Sequence, residues 1–423
     1  MPTSTRGDTL RLAVIGTGNQ GFELIRCGLD MPGVQFAALC DIWPHARREA
    51  AAVLSQRGQS PAEYEDYRDL LDKEKGLDAA IIATPDSFHA EQAVACMEAG
   101  LNVYCEAPMH HTLAGARQMV LASRRTGRLL QVGQQRRSNP RYHAALDLLD
   151  EKRGIGRVGN ASCQWHGHKR VRRTCDPADA LPEAVLRKYG FASMEEHRNW
   201  RWLSKFSAGE LALVGSHQLD VLNWFLHAAP CAAHAVGGRD YYDFFDLYDN
   251  AICLLEWRCA SEGRSWMVRG SCRIQTSFQL GGHIESFTGN AGAVAISEDP
   301  GVGGIMQEAE TPDAAWEKGL PVVYISVGDS IRSMGNANKP EAQIVANQRR
   351  LRVHPPIPYP GEKKPAHWYH LKNFLDAVRR GCKLSCPAEV GYQAAATVFG
   401  ALEAMKTGRR VEFKAEDFTV AGA

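Results

Sequence analysis

The stretch Leu10–Gly21, LRLAVIGTGNQG, decides the fold. An apolar run at 11–15 has strand length, and the hexapeptide Gly16-Thr17-Gly18-Asn19-Gln20-Gly21 follows it directly and opens a helical pattern over 21–30. In such a strand–turn–helix unit the first glycine makes the tight turn. The second lets a pyrophosphate approach the backbone, and the third brings helix and strand close together. The helix N-terminus then offers unpaired N–H groups and a positive dipole end to phosphate. Asp41 closes the next apolar run, 34–40, and stands 20 residues after Gly21, where a carboxylate meets ribose hydroxyls. Asp41 would repel a 2′-phosphate, so NAD is favoured over NADP; Arg47 and Arg48 on the following helix keep NADP open.

Outward from this motif the same grammar continues. Apolar runs at 34–40, 78–83, 101–105 and 128–132 alternate with helical patterns at 44–57, 87–99 and 112–125. Continuous apolar strands separated by helices predict a doubly wound parallel sheet, a Rossmann domain over residues 1–135. Ligands of such sheets lie beyond the carboxyl ends of the strands. The turns Thr84-Pro85-Asp86 and Glu106-Ala107-Pro108 are therefore expected to line the nicotinamide side. His89 reads as a cofactor neighbour or as an ordinary helix-face residue.

After residue 135 strands dominate, at 157–166, 233–238, 249–257, 265–279 and 284–297. Helices intrude near 140–152, 183–190 and 209–227, and a last one covers 388–407. Residues 299–365 read as an irregular excursion. The expectation is a second domain, 136–423, of α+β class with a mainly antiparallel open sheet for substrate and oligomer contacts.

The chain has 423 residues with 49 basic and 48 acidic side chains, a net charge of +1. That balance gives no electrostatic footprint for nucleic acid or an anionic membrane. With 44% hydrophobic residues there is ample material for a core. No apolar run has the length to span a bilayer, and the N-terminal residues carry no signal-like apolar stretch. The 12 cysteines lack a disulfide rhythm, and no metal is expected. A cytoplasmic protein with a small-molecule ligand is the expectation.

GTGNQG, ATPDSFH (83–89), VYCEAPM (103–109) and GSHQLDVLNWF (215–225) together resemble the glucose–fructose oxidoreductase / inositol dehydrogenase / MocA (Gfo/Idh/MocA) family. QQRRSNPRY (134–142), HIESFTGNAGAVAIS (283–297) and HWYHLKNFLDAVRRG (367–381) extend the resemblance to most of the chain. It implies an oxidoreductase that uses NAD or NADP on a secondary hydroxyl of a sugar, glycoside or cyclitol. It also implies a homo-oligomer, dimer or tetramer, built through the open sheet. Two departures stand out. Where the family usually has Glu-Lys-Pro this chain has Glu106-Ala107-Pro108, and the aspartate usually found four residues before the histidine of the GxH motif is Leu213.

His217 of that motif remains as the candidate acid/base, because an imidazole near pKa 6.5 exchanges protons around neutrality. Asp220, three residues on, is expected to orient it. His110 and His111, just beyond Pro108, are candidates to replace the missing lysine, or else to cap the helix at Thr112. On the strand 157–168, alternation groups Gln164, His166 and His168 on one face as a sugar-binding, metal-binding or merely solvated set. Trp200 and Arg201 suit sugar rings and hydroxyls or wedge between domains, and Tyr142 is expected at the interdomain cleft. Two alternatives to a dehydrogenase stay open. One is a glycoside hydrolase or lyase working by transient oxidation with retained NAD; the other is a non-catalytic NAD-binding member.

Overall fold

A computed structural model of the chain describes residues 9–150, 154–261, 263–278, 281–309, 321–327, 349–359 and 362–422. The N-terminal part runs β1 (Leu10–Ile15), α1 (Asn19–Leu29), β2 (Val34–Cys40), α2 (Pro44–Ser55), β3 (Ala62–Tyr64), α3 (Tyr67–Lys73), β4 (Ala79–Ile82), α4 (His89–Glu98), β5 (Asn102–Cys105), α5 (Leu113–Thr126) and β6 (Leu130–Val132). Its six strands are all parallel, in the order β3-β2-β1-β4-β5-β6. The strand order reverses between β1 and β4, and a crevice opens at their carboxyl ends. These strands are apolar throughout because both faces are covered. Ala13 and Ile15 enter one core, while Leu12 and Val14 enter the other. β3 was not expected, since its three residues, AEY, make no apolar run.

The second part runs α6 (Pro140–Asp150), β7 (Val158–His166), α7 (Glu183–Lys188), α8 (Met194–Arg198), α9 (Glu210–Leu213), α10 (Gly215–Phe225), β8 (Pro230–Gly238), β9 (Asn250–Ser261), β10 (Arg264–Gln275), β11 (His283–Gly289), β12 (Gly292–Ile296), β13 (Gly303–Glu308), β14 (Val323–Val327), β15 (Arg349–His354), α11 (Ala366–Arg380), α12 (Ala388–Thr407) and β16 (Val411–Glu412). Ten strands form one sheet in the order β14-β15-β13-β12-β11-β7-β10-β9-β8-β16, antiparallel except for the β7–β10 pair. Three expectations change here. The run 284–297 is a hairpin, β11 and β12, rather than one strand. The helix 209–227 breaks at Val214 into α9 and α10. The described parts of 299–365 contain β13, β14 and β15.

One face of the large sheet is its core. Ala161, Cys163, Cys253, Leu255 and Trp257 pack there against Leu219 and Leu222 of α10 and Ala401 of α12. The opposite face exposes Val236, Ile252, Leu254 and Met306. All 12 cysteines are free, and among the described residues no helix is long and apolar enough to cross a membrane.

The C-terminal helices return to the first sheet. Leu371, Phe374 and Leu375 of α11, a helix not foreseen, share a core with Leu12, Val14 and Phe36. α12 divides its apolar residues: Tyr392, Ala395 and Ala396 pack with the parallel sheet, Val398, Ala401 and Ala404 with the large one. Removing one buried aromatic ring costs about 3–5 kcal/mol. Phe374→Ala is therefore expected to lower the unfolding free energy measured by urea titration by that much, and an unchanged value would mean α11 contributes no core.

Candidate active site

The glycine loop is built by close approaches. Gly16 has a φ of +89°, and a Cβ there would stand 2.6 Å from the Ala83 carbonyl carbon. A Cβ on Gly21 would stand 1.9 Å from the Gly16 oxygen, so only glycine lets α1 start against β1. Gly18, in contrast, has no atom within 4 Å of its Cβ position. That room is what a diphosphate needs at the N-terminus of α1. A cavity of about 790 Å³ opens there, lined by Gly16–Gln20, Asp41, Thr84, Pro85 and Gln92.

Asp41 accepts from the Thr17 and Trp43 backbone N–H groups, each at 2.8 Å. Two of the carboxylate's roughly four lone-pair sites stay available for ribose hydroxyls. Arg47 donates back to the Asp41 carbonyl and lies 3.4 Å from Glu63, and Arg48 pairs with Asp179 at 2.7 Å. Both guanidiniums are thus turned toward protein acceptors, Arg48 through one nitrogen of an exposed side chain. The residues present fit NAD.

The next two turns are fastened to each other. Thr84 Oγ1 donates to Gln92 at 2.6 Å. The buried His89 ring lies 2.9 Å from the Thr84 carbonyl and 3.0 Å from that of Pro108. Burial pushes this imidazole down to about 4 against the pull of the two carbonyls, and as a neutral group it donates to one of them while packing between the β4 and β5 turns. Asp86 is buried, accepts from Ser207 Oγ at 3.0 Å, and is pushed by burial up to about 7. Glu106 accepts from Gln20 Nε2 at 3.0 Å and from the Ala107 N–H at 3.2 Å, which locks the glycine loop to the end of β5. Its neighbour Ala107 offers only a methyl group.

His217 sits in the first turn of α10, with its Nδ1 buried and unpartnered among the described residues. Burial, helped by Arg136, pushes it down to about 3, so the ring is neutral at physiological pH. Asp220 does not orient it. Both carboxylate oxygens are taken by Arg137, at 2.7 and 2.8 Å, an ion pair from the end of β6 that the spacing on α10 could not reveal. His110 is likewise committed, to Thr112 Oγ1 at 2.9 Å and the Ser87 carbonyl at 3.1 Å, in the cap of α5. Its ring lies 4.4 Å from that of His111, whose Nδ1 is unpartnered and which burial holds down to about 4.

Other expected contacts move. Tyr142 is fully buried and donates to Glu285 at 2.7 Å, a structural duty rather than a substrate contact. Gln164 and His166 lie on the sheet face opposite Ala161 and Cys163, hence away from α10, and His168 is exposed beyond the strand. The alternation is as expected, and these side chains lie on the face away from α10. Trp165 stacks on His283 at 4.8 Å and lies under Arg136 at 5.5 Å. Trp200 and Arg201 line the cavity of the glycine loop itself, not a separate sugar pocket.

Residues that sequence reasoning missed complete the surroundings of His217. Glu298 accepts from Gln135 at 3.2 Å and lies 3.8 Å from His283. His367, in the first turn of α11, acts electrostatically on Glu106, His217 and Glu298 alike, which places it between the β5 turn and α10. The only signal was the place of Glu298 directly after HIESFTGNAGAVAIS and of His367 at the start of HWYHLKNFLDAVRRG, segments that carried resemblance but no assigned chemistry.

Residues 10–134 match the family described as "Oxidoreductase family, NAD-binding Rossmann fold", GFO_IDH_MocA. A glycosyl hydrolase family 109 protein of Stenotrophomonas maltophilia is 40% identical over 111 residues, 25% of this chain and 24% of that one. An inositol 2-dehydrogenase of Salmonella paratyphi B is 31% identical over 221 residues, 52% of this chain and 55% of the relative. The chain thus spans a quarter to about half of these curated relatives. Among solved structures, the aldose-aldose oxidoreductase of Caulobacter crescentus complexed with glycerol superposes with a TM-score of 0.69. It covers 96% of this chain and 100% of that one at 18% identity, a likeness of fold. Residues 10–134 thus match the NAD-binding Rossmann model of the Gfo/Idh/MocA oxidoreductases, and the likeness of the whole chain to the solved structures is one of fold.

Proposed function

We propose that the chain is an NAD-dependent oxidoreductase acting on a secondary hydroxyl of a sugar, glycoside or cyclitol. Residues 1–135 hold the cofactor, and 136–423 supply the substrate wall and oligomer contacts. The observation that carries this is His217, a neutral imidazole with a ring nitrogen unpartnered among the described residues, which feels the same His367 as Glu106 does. Bound NAD supplies a hydride acceptor at its nicotinamide ring. The protein orients the alcohol and manages its proton. His217 takes the hydroxyl proton as the carbinol carbon loses its hydride and becomes a carbonyl. Glu298 favours the imidazolium that results, so the charge appears beside its counter-charge. Ala107 and Leu213 contribute no titratable proton, which leaves this duty to His217, with His111 and His367 as the remaining imidazoles in reach of the crevice.

The glycosyl hydrolase relative supports a second reading, in which NAD is retained, the glycoside is oxidised transiently and the aglycone leaves. NADH absorbance separates them: net reduction with a free sugar supports the dehydrogenase, and aglycone release without net reduction supports the second reading. The apolar stripe Val236, Ile252, Leu254 and Met306 supports a homo-oligomer joined through the sheet faces. The free cysteines support a reducing, cytoplasmic location.

Loss of a general base costs about 10²–10⁴-fold. His217→Ala is expected to lower turnover by at least about 10²-fold with NAD affinity unchanged, and near-normal turnover would remove His217 from the chemistry. Asp41→Ala is expected to narrow the preference for NAD over NADP in binding titrations. Unaltered discrimination would place the ribose elsewhere.

A further inference from the structure

Residues 167–209, between β7 and α9, form a strap that leaves the large sheet and lies across the Rossmann domain. Leu181, Leu186, Phe191 and Phe206 of the strap share one core with Trp43 and Ala46, next to the ribose carboxylate. Asp179 ties the strap down: its carbonyl accepts from Trp43 Nε1 at 2.6 Å, and its carboxylate pairs with Arg48 at 2.7 Å and His45 at 2.9 Å. Lys188 pairs with Glu65 at 3.0 Å, and the Ser87 N–H donates to the Phe206 carbonyl at 3.1 Å. The cavity at the glycine loop therefore has a roof.

That roof is basic. Arg173, Arg198 and Arg201 line the same cavity as Gly16–Gln20. The neighbouring Arg170 and Arg172 are paired, with Glu210 at 2.7 Å and Glu195 at 2.6 Å, and Arg198 stacks over Trp43 at 4.4 Å. The guanidiniums of Arg173 and Arg201 have neither a hydrogen-bond acceptor nor an ion pair among the described residues. Burial and the repulsion of neighbouring arginines hold both below the usual range, Arg201 at about 10, although Asp86 and then Glu210 pull Arg201 the other way. A second anion in the cavity would offset the remaining repulsion between the two guanidiniums.

On the dinucleotide reading given above, we infer that Arg173 and Arg201 are an anion clamp for the cofactor's diphosphate, closing on it from the side opposite the glycine loop. The diphosphate is the charged part of NAD that belongs at this loop, and its two negative charges match two guanidinium forks. Adenine and the riboses, which are neutral, face the apolar strap residues and Asp41. Cofactor exchange then requires the strap to lift from Trp43, Arg48 and Glu65. A carboxylate or phosphate on the substrate has the same chemistry, and the test separates the two sources.

NAD, ADP-ribose and adenosine are titrated calorimetrically onto the full chain and onto Arg173→Gln, Arg201→Gln, Arg201→Lys and the double glutamine variant. Charge-assisted hydrogen bonds give the scale. The double variant is expected to bind NAD and ADP-ribose about tenfold to a hundredfold more weakly, with adenosine unchanged and Arg201→Lys intermediate. Equal affinity for ADP-ribose in wild type and double variant overturns the clamp. So does an equal loss for adenosine, which would report disturbed strap packing. Retained NAD affinity together with weakened binding of glucuronate or glucose 6-phosphate assigns the arginines to substrate and overturns the diphosphate role. Arg173, at the exposed end of the pair, keeps the test valid if the Arg201 variants do not fold. A wild-type chain that binds neither NAD nor ADP-ribose overturns the dinucleotide reading itself, a result distinct from failure of the clamp alone.

Discussion

The ion pair between Arg136 and Glu285 is the constraint on which the crevice depends. Arg136 follows β6, at the edge of the parallel sheet, and Glu285 lies on β11 of the large one; both side chains are buried. Burial opposes the arginine's charge, but Glu285 and then Glu298 outweigh it and hold the guanidinium protonated. Tyr142 occupies the second oxygen of Glu285. A buried pair of this kind adds little net stability, yet removing one partner strands a charge at a cost of about 3–5 kcal/mol. Its effect is positional. It sets the end of β6 against β11.

The electrostatics of the crevice derive from the same pair. Arg136 lowers the proton affinity of both His217 and His283, while Glu298 raises it. An imidazole so placed stays neutral at rest and finds a carboxylate waiting when it gains a proton. Arg136 is the leading positive charge acting on the His217 ring.

What could be read from the sequence was local. GTGNQG after a strand, and Asp41 at the next strand end, are short-range patterns whose geometry the backbone imposes. The two faces of β7 were equally legible from alternation. Which face α10 covers was not, because that depends on the packing of distant segments. Asp220 shows the same limit: three residues from His217 on one helix, it is claimed by an arginine 83 positions away in the chain. Tyr142, Glu298 and His367 owe their places to contacts between distant segments, which no periodicity encodes. The strap was visible only as a run of aromatic and basic residues, HRNWRW, with no indication of which surface it would roof.

The division of α12 between two cores has a consequence for synthesis. While the first 135 residues emerge from the ribosome, the parallel sheet lacks Leu371 and Phe374 on one face and Tyr392 on the other, so part of each core stays uncovered until the tail of the chain has been translated. Neither half can complete its interior alone. Nascent chains of this protein therefore expose apolar sheet surface for most of their elongation, and chaperone demand is built into the order of the elements.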